Sequence, residues 1–241
     1  MKGQLISEIM HDKYWNNDTE LFGFIRKELY TSVVGDIMDK MGLQHQFLPP
    51  QIRPLKENMF IAGRAMPVLE ADCYEELSPG SKNPIMNKYF GLMLEALDDI
   101  KPGEVYFCTG ASPYYALLGE LMMTRVKMCG GAGAVVNGYS RDTNGIIGIG
   151  LPVFSYGPYG QDQAPRGKVI DYRVPVEING VRVFPGDIII GDIDGVCVIP
   201  KKNEREIIVK AFEKAKGERM VLKAIQGGMS SVEAWNKFGI M

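Results

Sequence analysis

Two places in this chain carry residue types that could do chemistry together. Gly119-Glu120 opens a short run that reads as a helix, and Arg141-Asp142 follows after 20 intervening residues. The first N–H groups of a helix lack intrahelical partners, so the amides of Glu120, Leu121 and Met122 offer a cradle for an anion. Arg141 adds a fixed cationic fork, and Asp142 a hard oxygen ligand for a divalent cation. A small carboxylate could lie on the cradle and Arg141, with a cation on Asp142 bridging to the same ligand. The plainer alternative makes Arg141-Asp142 a solvated turn and Gly119 a packing glycine.

The elements around these residues must bring them together. The spacing predicts a helix over 120–129, ended by Gly130 and Gly131, whose freedom at positive φ suits a helix terminus. An apolar strand follows over 132–136, then an Asn137-Gly138 turn and Tyr139-Ser140-Arg141-Asp142. A helix, a turn and a strand can return the chain, so that Arg141 faces Gly119. Strand ends in α/β folds are where sites are built.

Elsewhere the pattern predicts helices over 19–29 and 31–41, the second capped by Thr31 or Ser32 and carrying Asp36 on a solvated face. It predicts strands over 59–69 and 104–108, and a helix over 84–100 with Met86, Tyr89, Phe90, Met93, Leu94 and Leu97 as its core face. Residues 146–158 read as a buried strand and loop. Alternating strand segments follow over 169–200, with Asn179-Gly180 as a hairpin turn. Asp187, Asp192 and Asp194 read as turn acids in preference to a metal cluster. Arg166 and Lys168 read as surface residues, with contact to a substrate's far carboxylate as the other possibility. Asn203 is placed to cap a long, highly charged last helix.

Composition narrows the function classes. Of 241 residues, 46% are hydrophobic and 23% charged, with a formal net charge of −2. That is ordinary for a globular domain and gives no broad attraction to nucleic acid. No apolar run approaches membrane-spanning length, and the N-terminus breaks its apolar run with Glu8, His11 and Asp12, unlike a signal peptide. Cys73, Cys108, Cys129 and Cys197 form no C-x-x-C, so reduced thiols in a cytoplasmic protein are expected. Two histidines argue against a zinc site or a His-based triad. Gly131-x-Gly133 precedes its strand and lacks a third glycine, so it is not a dinucleotide fingerprint. No Walker loop, full calcium loop or S-adenosylmethionine pocket is legible.

Gly119-Glu120-x20-Arg141-Asp142 resembles the D-x20-R-D signature of the RraA-like superfamily. Thr31-Ser32-Val33-Val34-Gly35-Asp36, Ala62-Gly63-Arg64-Ala65-Met66-Pro67-Val68 and the block from Pro185-Gly186-Asp187 to Asp194-Gly195-Val196 resemble its other blocks, in order. That superfamily joins class II 4-hydroxy-4-methyl-2-oxoglutarate/4-carboxy-4-hydroxy-2-oxoadipate aldolases, which also decarboxylate oxaloacetate, with RraA regulators of ribonuclease E. The resemblance implies an α/β fold, a layered swivelling β/β/α domain with an N-terminal helical arm (residues 1–30) before a single domain (31–241) that includes the C-terminal helices. It implies a homotrimer or homohexamer with sites at subunit interfaces.

As chemistry, the resemblance implies a lyase dependent on Mg²⁺ or Mn²⁺ and acting on a small 2-oxo acid. Asp142 would hold the metal. Gly119, Glu120, Leu121, Met122 and Arg141 would bind substrate, and Arg141 and Glu120 would act in catalysis. Asp36 and a glutamate of the last helix, Glu218 or Glu213, would act in trans. A protein regulator of an RNA-decay enzyme, or another sugar-acid lyase or isomerase, are the alternatives. The chain differs from the aldolases at Glu120 (their Asp), at Asn137 (often Asp) and at Gly145, where they carry Glu or Asp.

Overall fold

The structure is a computed structural model that describes residues 14–73 and 81–240. Residues 1–13 of the predicted N-terminal arm and residues 74–80 lie outside the described residues. The chain divides into two compact units, a helical one from residues 1–44 and 202–241 and a sheet-based one from residues 45–201.

In the helical unit, α1 (Asp18–Glu28) starts at Asn17, whose side chain accepts a hydrogen bond from the Glu20 amide. Helix α2 (Thr31–Lys40) buries Val33, Val34, Ile37 and Met38, the 3–4 spacing of one apolar stripe. That stripe lies on α6 (Glu204–Gln226), which answers with Ile207, Ile208, Ala211 and Ala215. Asn203 does not cap α6 through its side chain. It ends a turn of 3-10 helix and has helical backbone angles, whereas a capping residue needs an extended one. A separate helix, α7 (Ser231–Phe238), begins with a reciprocal capping box between Ser230 and Glu233.

The second unit is built on strands β1 (Arg53–Pro54), β2 (Ile61–Asp72), β3 (Glu104–Thr109), β5 (Gly133–Val136), β7 (Val153–Ser155), β8 (Gly167–Tyr172), β11 (Ile188–Asp192) and β12 (Gly195–Ile199). Their order is β1-β7-β5-β3-β2-β11-β12, with β8 on the far half of β2. The β2-β3-β5-β7 core is parallel, and β11, β12, β8 and β1 join antiparallel. Short contacts of β1 with β11 and β12 bring the two ends of the sheet almost together, so it curls into a nearly closed barrel. This is the α/β fold that the resemblance implies. The barrel interior carries Ile61, Ala65, Val105, Phe107, Val135 and Phe154, and β9 (Val176–Ile178) with β10 (Val181–Val183) covers it. Asn179 and Gly180 both take positive φ between those two strands, the hairpin turn expected of that pair.

Outside the barrel, a second core forms from Met66, Tyr106, Ala134 and Val136 with α3 (Met93–Asp98) and α4 (Glu120–Met128). Helix α3 is much shorter than the predicted 84–100. Gly91 has φ +63 and lies so close to the Val169 carbonyl that a Cβ would stand 2.1 Å from it. The backbone there bridges to β8 instead of continuing a helix, and Tyr89 and Leu94 are exposed, not core. The expected strand and loop over 146–158 also divides differently, into α5 (Thr143–Ile149) and β7.

The turn acids behave as local backbone solutions. Asp187 accepts from the amides of Phe184 and Lys201, both at 2.8 Å, and Asp192 accepts from the Asp194 amide at 2.9 Å.

Candidate functional site

Two very short strands make the site. β4 (Ala116–Leu118) pairs in parallel with β6 (Tyr139–Ser140), Leu118 opposite Ser140. The next residue off each strand is therefore Gly119 on one and Arg141 on the other, and the Arg141 amide donates to the Leu118 carbonyl at 2.9 Å. Parallel pairing thus does what the helix-turn-strand reading required, and sets both residues at the carboxyl ends of adjacent strands.

Gly119 is bare because the pair presses on it. A Cβ there would lie 2.6 Å from an Asp142 carboxylate oxygen and 3.3 Å from Arg141 Cγ. It is a packing glycine, and what it packs against is the Arg141-Asp142 pair. Asp142 has φ 56 and ψ 37, left-handed backbone that a non-glycine residue adopts at a cost of about 1 kcal/mol or more. Its Oδ2 accepts from the Glu120 amide at 3.3 Å, so one of the three cradle N–H groups already points at Asp142. Those of Leu121 and Met122 remain on the open first turn of α4.

The Arg141 guanidinium lies between two acids. Its Nε is 3.7 Å from Asp142 Oδ2 and its Nη1 is 3.2 Å from Asp162 Oδ1, with all three side chains a third to a half exposed. A pocket of about 420 Å³ opens here, lined by Arg141, Asp142 and Asp162 together with Leu118, Met122 and Arg125. Asp162 was not found from the sequence. It sits in an irregular segment held by the Arg166 Nη1 bond to the Asp162 carbonyl, and no periodicity marks it. Arg166 is spent on that loop. Lys168 is buried, with Nζ donating to the Met86 carbonyl at 2.7 Å, so the surface role expected of it is corrected. Neither residue lines the pocket.

Asp36 and Glu218 are brought together in the helical unit. Lys214 donates to Asp36 at 2.5 Å and also bonds Glu218, which in turn accepts from the Tyr30 hydroxyl. Burial pulls the Lys214 ammonium down, but the bonds to Asp36 and Glu218 outweigh it and hold the group above its ordinary value. Burial, then the Glu218 carboxylate, pushes the Tyr30 phenol up to about 12. Glu213, the other candidate on α6, is exposed. Replacing Lys214 by alanine leaves two carboxylates without their shared cation. It is expected to cost about 1–2 kcal/mol, read as a lowered thermal midpoint, while Lys210→Ala on the exposed face of α6 shifts it by less than about 0.5 kcal/mol.

The donor set limits what kind of ion Asp142 could hold. Among the described residues, no three His, Cys, Asp or Glu side chains converge as a cage. Asp142 with Glu120 beside it is a one- or two-carboxylate set open to solvent, which matches the hard cations that keep most of their waters and does not match a zinc cage.

The family description RraA-like, Aldolase/RraA, matches residues 31–198, more than half of the chain. The chain belongs to the RraA-like family. Among its RraA-like relatives, a protein of Halalkalibacterium halodurans provisionally named a 4-hydroxy-4-methyl-2-oxoglutarate aldolase is 29% identical over 206 residues, covering 85% of this chain and 89% of that one. A solved structure described as novel cellulases from gut-associated microbes is 27% identical with a TM-score of 0.74, covering 91% of this chain and 100% of the other. Streptomyces coelicolor RraAS2, described as an unusual member of the RNase ES inhibitor RraA family, aligns with a TM-score of 0.68 at 23% identity, covering 80% and 90%. That last likeness speaks for the RraA-like fold alone.

Proposed function

We propose that this chain is a divalent-cation-dependent lyase that cleaves a small 2-oxo acid, by retro-aldol reaction or by decarboxylation, to release pyruvate. The observation that carries the reading is the meeting of Arg141, Asp142 and the first turn of α4 around Gly119. The aldolase name of the Halalkalibacterium relative supports the same reaction class.

Mg²⁺ or Mn²⁺ held by Asp142 would supply Lewis acidity toward the keto oxygen. The chain's own groups do the rest. The Leu121 and Met122 amides hold the substrate carboxylate. Arg141 sets its fork against the oxygen on which charge grows as the C3–C4 bond breaks. In decarboxylation C4 leaves as CO₂, and in retro-aldol cleavage it leaves as a carbonyl after the 4-hydroxyl gives up its proton. The electron pair stays on the three-carbon fragment in both. Glu120, directly or through water, delivers a proton to C3, taking it from the 4-hydroxyl in the retro-aldol case and from solvent in the other.

A homotrimer or homohexamer, with Asp36 and Glu218 acting in trans, is part of the proposal. Leu121, 85% exposed beside the pocket, suits a surface that a second subunit covers.

The test is pyruvate release from oxaloacetate and from 4-hydroxy-2-oxo diacids, with Mg²⁺ or Mn²⁺ and with a chelator. Release that needs the cation supports the reading. No release from any of these substrates, together with a tight complex with an RNA-decay nuclease that survives Arg141→Ala, would replace it with the regulator.

A further inference from the structure

Gly145 is the third residue of α5, and its φ is not positive, so its backbone does not require glycine. Glycine inside a helix is unfavourable relative to alanine. Something else must hold it there. A Cβ at Gly145 would stand 2.2 Å from both Cδ and Oε2 of Glu120, and 2.8 Å from its Oε1. The Glu120 carboxylate therefore lies flat against the bare Cα of Gly145. Gly148, in the same helix, has nothing within 4 Å of its Cβ position. The contact is thus specific to Gly145 and is not a general feature of α5.

No hydrogen bond or ion pair holds that carboxylate among the described residues. The bonds of Glu120 there are made by its backbone, the amide to Asp142 and the carbonyl to the Thr124 hydroxyl. Yet the acid is directed onto α5 three residues beyond Asp142. The Asp142 carboxylate accepts from the amide of Glu120 itself, at 3.3 Å. With the Glu120 side chain seated on Gly145, both carboxylates are thus held within one side chain's reach of the same backbone amide.

We infer that Gly145 is a positioning residue, whose bare Cα seats the Glu120 carboxylate next to Asp142 so that the second acid of the cation site comes across from α4. This rests on the reading of Asp142 as the cation ligand. The seat also explains why a longer acid and a glycine occur together, because any side chain at 145 would fill the space Glu120 uses.

The test is Mn²⁺ binding to the full chain, followed by the electron-paramagnetic-resonance signal of free Mn²⁺, with thermal midpoints measured alongside. Gly145→Ala is expected to weaken Mn²⁺ binding about tenfold, because the methyl displaces the flexible end of Glu120. Gly148→Ala is expected to bind as the unsubstituted protein does and to melt higher. In a Glu120→Gln background, Gly145→Ala is expected to add nothing further, since its effect runs through that carboxylate. Unchanged binding in Gly145→Ala, or losses that simply multiply in the double variant, overturns the inference.

Should Gly145→Ala not fold, Glu120→Asp carries the test. One methylene shorter, it withdraws from the seat and binds Mn²⁺ more weakly, while unchanged binding overturns the inference. Asp142→Asn separates the two levels. If it abolishes Mn²⁺ binding and Gly145→Ala does not alter it, the seat alone is wrong. If Asp142→Asn has no effect, the underlying reading is wrong.

Discussion

Arg141→Ala is expected to lower kcat for pyruvate release by about 10²–10³-fold. The loss should appear equally in kcat and kcat/KM, because the fork meets the charge that grows during bond breaking and not the resting substrate. Lysine at the same position should recover only part of the rate, since an ammonium is a point charge and cannot present two parallel donors. Stability should hardly change. The contacts of Arg141 with Asp142 and Asp162 are half-exposed ion pairs, which contribute about 0–1 kcal/mol. A variant that is inactive and melts with the unsubstituted protein locates the defect in chemistry. Steady-state kinetics beside a thermal melt check both halves of the expectation.

The second large effect concerns Glu70, a buried acid. It lies in β2 at a register shift against β8 and is 1% exposed. Its Oε2 accepts from the Cys108 thiol at 3.6 Å, and Oε1 has no partner among the described residues. Burial pushes its carboxyl up to about 8, with the nearby Asp72 charge adding, against weaker downward pulls from Cys108 and Tyr115. The unfolded chain titrates this group near 4.5.

Between those two values the native state holds the proton and the unfolded state does not, so stability falls as pH rises. The contribution is fully present below about pH 4.5 and is lost progressively toward about pH 8, with a slope of about 1.4 kcal/mol per pH unit. Glu70→Gln removes this titration. The melting midpoint of the variant minus that of the unsubstituted protein is expected to rise steadily from pH 5 to 8 and level off above. A difference that stays flat across that range would mean that Glu70 is not a buried neutral acid. Differential scanning calorimetry at matched ionic strength reads it directly.

Much of this was legible in the residues, for identifiable reasons. The helix over 120–129 was readable because charges and apolar residues alternate at helical spacing and a Gly-Gly pair ends it. The strand over 132–136 was readable because an apolar run is bounded by turn residues, and the Asn179-Gly180 hairpin because its backbone demands positive φ. The approach of Arg141 to Gly119 was readable because a helix, a turn and a strand can return the chain over that length.

What escaped was set by tertiary contact. β4 and β6 are three and two residues long and carry no period of their own, so the pairing that joins Gly119 to Arg141 is visible only in space. Helix α5 contains two glycines and three isoleucines in seven residues, a composition that argues against a helix. Packing of Ile146 and the seat for Glu120 override that preference. Helix α3 is cut short by Gly91 meeting β8, a contact between residues 78 positions apart that no local window contains. Asp162 reaches Arg141 from an irregular segment. The same is true of Lys168, whose charge suggested the surface while the side chain is buried and its amine donates to the Met86 carbonyl.

Asp142 is proposed to support cation-dependent cleavage of a 2-oxo acid at the end of β6. The most direct measurement is the initial rate of pyruvate release from oxaloacetate at saturating Mg²⁺, compared between the unsubstituted protein and Asp142→Asn, which keeps the shape of the side chain and removes its charge. A chelator is expected to abolish the rate in the first, and the rate in the second is expected to be at least about 10²-fold lower. Equal rates in the two proteins, with or without Mg²⁺, would contradict it.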